Sequence, residues 1–145
     1  MKIKSLIVLS LLAFVCIACS SNTASGISGI SGVFEGESRA KYTSENFWGV
    51  AKVTLENSRI TGLEFYIIDK GLNEIFGPKY EEHYIANALY QEQCRNEVAA
   101  LDIYPAELLK KQSMDKVDAI SGATWSYDLM KAAVAEALKK AGIES

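Results

Sequence analysis

Residues 51–67, AKVTLENSRITGLEFYI, are two alternating runs around a short polar turn. Ala51, Val53 and Leu55 alternate with Lys52 and Thr54; Thr61, Leu63, Phe65 and Ile67 alternate with Gly62, Glu64 and Tyr66. Side chains of a strand point to opposite faces with a period of two, so each run is a half-buried strand with one apolar face. The intervening Glu56-Asn57-Ser58-Arg59 is polar and short enough to reverse the chain directly, which predicts an antiparallel hairpin.

Upstream, Phe34, Gly36, Ser38, Ala40 and Tyr42 form a small or aromatic face opposite Glu35, Glu37, Arg39 and Lys41, a third strand of the same kind. Downstream the pattern turns helical. Lys79 to about Leu101 has no proline and places Tyr84, Ala88 and Leu89 on related turns; a second short helix is expected from Pro105 to Gln112, with proline in the first turn. The last helix is the clearest, because Leu129, Met130, Ala133, Val134, Ala137, Leu138 and Ala141 follow the 3.6-residue period. Lys131, Glu136, Lys139 and Lys140 face outward, and Gly142 supplies the stop. Strands first and helices afterwards predict an α+β domain: a small antiparallel sheet, N-terminal strand plus hairpin, packed against helices.

The N-terminus carries Lys2 and Lys4 and then an uncharged apolar run from Leu6 to Ile17. That run is too short for a stable membrane span but fits the central region of a signal peptide. It ends at Ala18-Cys19-Ser20-Ser21, which resembles the lipobox of bacterial lipoproteins, although Cys16 stands where that motif usually has leucine. The expectation is a leader over residues 1–18, lipidation of Cys19, and attachment to a membrane through several acyl chains on its periplasmic or extracellular side. An ordinary secretory signal cut nearby is the alternative. Residues 19–32 are rich in Ser and Gly and read as a tether, leaving a single domain over 33–145.

The whole chain holds 15 Lys+Arg against 18 Asp+Glu; without the two leader lysines it holds 13 against 18, net −5. This acidic balance excludes a nucleic-acid binder that works through a basic footprint. With Cys16 in the leader and Cys19 acylated, Cys94 is the only thiol left, so no intrachain disulfide can form and Cys94 reads as a small buried side chain. No cluster with metal-ligand spacing and no nucleophile triad is present.

The segment between the last two helices reads Asp118-Ala119-Ile120-Ser121-Gly122-Ala123-Thr124-Trp125-Ser126. It brings a flexible glycine and three hydroxyl side chains to a helix start. Ser121, Thr124 and Ser126 are all capable caps, and the unpaired N–H groups there favour a phosphate. On the residues alone a plain capped helix start is the better reading.

The spacing Asp118-x-x-Ser121-Gly122-Ala123-Thr124, with Ser126 two places on, resembles the flavinylation motif of the FMN-binding domain family. That family includes the C and G subunits of the sodium-pumping NADH:quinone reductase, their Rnf relatives, and small flavinylated lipoproteins of extracellular electron transfer. The resemblance implies FMN joined covalently through its phosphate to Thr124 by a dedicated flavin transferase. It assigns Gly122 and Ala123 to making room for the phosphate and the transferase, and Ser121 to phosphate oxygens. Asp118 is either an orienting or metal-binding group during transfer or a turn former. Trp125 and Tyr127 lie against the flavin ring or enter the core. His83, the only histidine, sits in Glu81-Glu82-His83-Tyr84 and is either a solvated helix residue or a proton-transfer group beside reduced flavin. Residues 69–112 match no general pattern of the family.

The resulting expectation is a membrane-anchored electron carrier serving membrane redox partners. A stand-alone flavin reductase and a surface lipoprotein with a vestigial motif are the alternatives.

Overall fold

The computed structural model describes residues 29–144 except Tyr42. The leader, Cys19, most of the tether, Tyr42 and Ser145 lie outside the described residues. Four strands, β1 (Gly32–Arg39), β2 (Phe47–Glu56), β3 (Arg59–Asp69) and β4 (Glu74–Ile75), form one antiparallel sheet in the order β1-β2-β3-β4. Two helices follow, α1 (Ala88–Lys111) and α2 (Thr124–Lys140), so the α+β architecture read from the sequence is the one observed.

The hairpin turns at Asn57 and Ser58, whose φ of 50° and 62° are the paired positive values that suit a tight two-residue reversal. The chain just before β1 is tied to this turn: Ser58 N–H donates to the Ile30 carbonyl at 2.7 Å, and Asn57 N–H to Ser31 Oγ at 2.9 Å. One detail of the hairpin differs from the alternation. Leu55 pairs with Ile60 but Thr54 pairs with Gly62, so Thr61 is the extra residue of a bulge. Ile60 therefore takes the buried place expected for Thr61, which is exposed. The bulge is completed by the residue that caps the end of α1: Gln112 Oε1 accepts from Ile60 N–H and Gln112 Nε2 donates to the Ile60 carbonyl, both at 2.9 Å.

The two helices expected over 79–101 and 105–112 are one. Tyr80–Tyr84 is only a 3-10 turn, and α1 begins at Ala88, capped by Asn87, whose side chain accepts from Tyr90 N–H at 3.2 Å. Pro105 lies inside the helix rather than at its start. Proline removes one intrahelical bond, at a cost of about 3 kcal/mol, and favours a break. Here Ala100 and Tyr104 on one side of it and Leu108 on the other are buried in the same cluster, and that shared burial carries the helix through. β4, a two-residue strand, has no alternation to betray it.

Both helices lie on the same face of the sheet, α2 over β1 and β2 and α1 over β3. The approach of α2 to β1 depends on Gly36: a Cβ there would overlap the Ala133 carbonyl oxygen and the Ala137 amide. Ala51, Ala133 and Ala137, all fully buried, line the same seam. Beyond it, around the start of β2, a second cluster collects Phe47, Phe76, Tyr80, Cys94 and Leu129, with Trp125 packed against it.

Candidate functional site

Helix α2 starts at Thr124, and the motif loop delivers it. Gly122 has φ of 81°, a backbone shape open to glycine, and Ala123 is fully buried beneath the turn. Two side chains of α1 fix the loop. Tyr104 O–H donates to the Ala123 carbonyl at 2.9 Å and accepts from Ile120 N–H at 2.8 Å, and Gln93 Nε2 donates to the Gly122 carbonyl at 3.0 Å.

The helix start is capped by neither Ser121 nor Thr124. Ala123 occupies the cap position with no side-chain bond to the helix. The acceptor comes from across the domain: Glu97, 2% exposed on α1, takes the Ser126 N–H at 2.9 Å, the Ser126 O–H at 2.6 Å and the Trp125 N–H at 3.3 Å. Gln93 Nε2 gives it a further bond at 2.8 Å. A carboxylate at the positive end of a helix dipole, with this many donors, is well placed. Two of the first three amides of α2 are thus already taken, which corrects the expectation that helix N–H groups receive the phosphate. Ser126 is fully buried and works for the interior.

Thr124 is exposed, as is Ser121. Thr124 opens onto a groove of about 630 Å³ between the end of β1 and the exposed side of α2, where Arg39, Lys41, Lys131, Trp125 and Asp128 also line the wall. Lys131 is paired with Asp115 at 2.9 Å, and that pairing raises the ammonium pKa. Arg39 and Lys41 have no carboxylate partner among the described residues. An anion beside Thr124 would find its positive charge there. Asp118 stands apart from this arrangement: its side chain is 96% exposed and its oxygen lies 3.1 Å from Lys111 Nζ. Among the described residues no group of three or more acidic, His or Cys side chains is placed to hold a metal.

Trp125 lines the Thr124 groove and a second space. Its ring meets Phe47 and Phe76 edge-on, with centroids 5.0 and 5.2 Å away. Its Nε1–H is buried and has no acceptor among the described residues. An unmade bond of this kind costs about 1–3 kcal/mol, so the group is a donor in need of a partner. The second space is a largely apolar, open hollow of about 140 Å³, bounded also by Phe47, Phe76, Tyr84, Tyr90 and Cys94 and by the polar Thr43, Glu45, Gln93 and Glu97. Burial pushes the Cys94 thiol pKa up, with Glu81, Glu45 and Glu97 adding to the shift, so the sulfur stays neutral. Burial likewise raises the Tyr84 phenol, which donates to Glu45 Oε1 at 2.7 Å. Tyr127, in contrast, packs with Tyr104 at 5.5 Å in the other cluster. His83 is exposed, 2.8 Å from Glu74 Oε2, with its ring 4.8 Å from that of Tyr80.

The motif loop was legible in the sequence, while Gln93, Glu97 and Tyr104, which hold it, were not. Glu97 had left one signal: it is the single charged residue on the stripe Cys94, Glu97, Ala100, Tyr104, Leu108.

Residues 46–139, well over half of the chain, match a family described as FMN-binding domain. The chain belongs to that family, and the domain is an FMN-binding domain. No curated protein and no solved structure matches it. The residues present fit the group on two counts: an exposed hydroxyl at the motif threonine, and in the same groove Arg39 and Lys41, cations without a carboxylate partner among the described residues. No described helix is long and apolar enough to cross a membrane.

Proposed function

We propose that this protein is an electron carrier in which FMN is esterified through its phosphate to Thr124, and that it is held at a membrane by a lipidated Cys19. The observation that carries the reading is the exposed Thr124, standing at the head of α2 in a groove with Arg39 and Lys41, inside a domain of the FMN-binding family. Bound flavin supplies reversible transfer of one or two electrons; the protein supplies position and electrostatics.

In maturation, the Thr124 hydroxyl would lose its proton and form a bond to the flavin-side phosphorus of FAD. The pyrophosphate bond would break with AMP as leaving group, in an active site lent by a separate flavin transferase. Arg39 and Lys41 would face the ester's remaining negative charge. Glu97 and Tyr104 would hold the loop so that Thr124 stays outward while Ser126 stays inward. Membrane redox partners would exchange electrons with the exposed side of the domain.

Intact mass of the exported, mature protein tests the assignment, with and without a flavin transferase in the host. The expected result is a gain equal to FMN minus water, resistant to denaturation and absent from Thr124→Ala. An unmodified mass alongside a working transferase, or an adduct that survives Thr124→Ala, would remove the attachment site. Release of a diacylglycerol-bearing N-terminal peptide starting at Cys19 tests the anchor separately.

A further inference from the structure

We propose that the aromatic hollow behind Trp125 seats one ring of the isoalloxazine, the apolar dimethylbenzene end, so that FMN straddles Trp125 with its phosphate in the cationic groove and its ring edge in the hollow. This deepens the reading of Thr124 as the attachment point and rests on it.

Three observations converge. The two spaces differ in the way the two ends of FMN differ. The groove beside Thr124 carries Arg39 and Lys41, with Asp128 and the Asp115-paired Lys131 also on its wall, whereas the hollow's surface is largely apolar, from Phe47, Phe76, Tyr84, Tyr90 and Cys94, with Glu45 and Glu97 at its edge and no cation. Trp125 lines both, and it directly follows Thr124, so a molecule tethered at Thr124 begins beside the shared wall. The size suits one ring entering from the open side: the hollow measures about 140 Å³, of the order of the roughly 150 Å³ that benzene fills in an enclosed apolar cavity. Aromatic walls suit a flat π-system, which gains edge-to-face and offset contacts on entering. Tyr90 is 56% exposed on one side of the hollow, and substituting it disturbs little of the core.

The test is flavin fluorescence, read on full-length mature protein that carries the mass of the adduct. A flavin ring held against tryptophan and tyrosine is quenched, and one in water is bright. The folded wild-type adduct should be several-fold dimmer than the same adduct in denaturant. Trp125→Phe and Tyr90→Ala should each recover part of the emission, with unchanged adduct mass and a thermal transition close to wild type. Trp48, which lines the neighbouring groove with Arg39 and Lys41, supplies the opposing case. If Trp48→Phe restores emission and the two hollow variants do not, the ring lies in the groove and the proposal is overturned. A folded adduct as bright as the unfolded one overturns it too, as does quenching indifferent to both hollow variants. If no adduct forms at all, the attachment reading falls, and riboflavin, which has no phosphate, is titrated into Thr124→Ala. Saturable quenching that Tyr90→Ala weakens then supports the seat, and its absence overturns it.

Discussion

The domain has two hydrophobic clusters built on different rules. Where α2 crosses β1 and β2, the buried residues include Ala51, Ala123, Ala133, Ala137 and Ala141, and Gly36 lets backbone meet backbone. Around the start of β2 the residues are Phe47, Phe76, Tyr80 and Trp125, whose rings meet edge-on or tilted and leave a hollow among them. Small residues pack closely because little has to interlock, and they leave no room to adapt. Large flat rings bury more area each, and here they leave over the hollow proposed as the flavin's seat. The first cluster holds α2 still; the second, reached through the first turn of that helix, offers a place to bind.

The sharpest break of this contrast is at Gly36. Gly36→Val puts a branched side chain where the Ala133 carbonyl and Ala137 amide already sit, and α2 has to lift off β1. The expected loss is about 4 kcal/mol or more, since overpacking here has no flexible side chain to absorb it. Urea unfolding of the exported domain would measure it. A loss below about 1 kcal/mol would mean the seam is looser than its geometry.

Glu97 joins the two clusters and comes next in size. Glu97→Ala leaves the Ser126 and Trp125 amides without their acceptor at a buried helix start. The expected destabilisation is roughly 2–3 kcal/mol, and Glu97→Gln, which keeps one acceptor oxygen, should lose distinctly less. Hydrogen exchange at these two amides reads the cap directly: it should accelerate far more in the alanine variant than exchange at Met130 or Val134 in the middle of the helix.

How far the sequence reached follows the same division. Strands whose one face is buried alternate visibly, and an alanine stripe at helical spacing is hard to mistake, so β1, β2, β3 and α2 could be read off residues alone. The motif loop, too, is local in sequence. What escaped depends on contacts across the chain. Pro105 signals a helix start unless one knows that Ala100, Tyr104 and Leu108 share a cluster. Thr61 continues an alternation that Gln112, at the end of α1, helps to interrupt. Ser126 looks like a cap beside Thr124, and only the arrival of Glu97 from α1 turns it inward. The aromatic hollow draws on β2, α1, Trp125 and the segment between β4 and α1, so no window of sequence contains it.

The smallest effect separates the clusters most finely, because it asks each to accept extra carbon. Ala133→Val adds two methyl groups to the small-residue seam and should cost about 1–3 kcal/mol. Cys94→Leu adds bulk at the wall of the 140 Å³ hollow, where there is space for it. The gain in buried apolar area there offsets any local strain, so the stability change should stay within about 1 kcal/mol of wild type. Its consequence is for the ligand: with the hollow partly filled, a flavin ring on Thr124 has no seat, and emission of the folded adduct should rise although its mass and thermal transition stay unchanged. If Cys94→Leu instead destabilises as strongly as Ala133→Val, the hollow is as tightly packed as the seam, and the distinction between a holding core and a binding core does not stand.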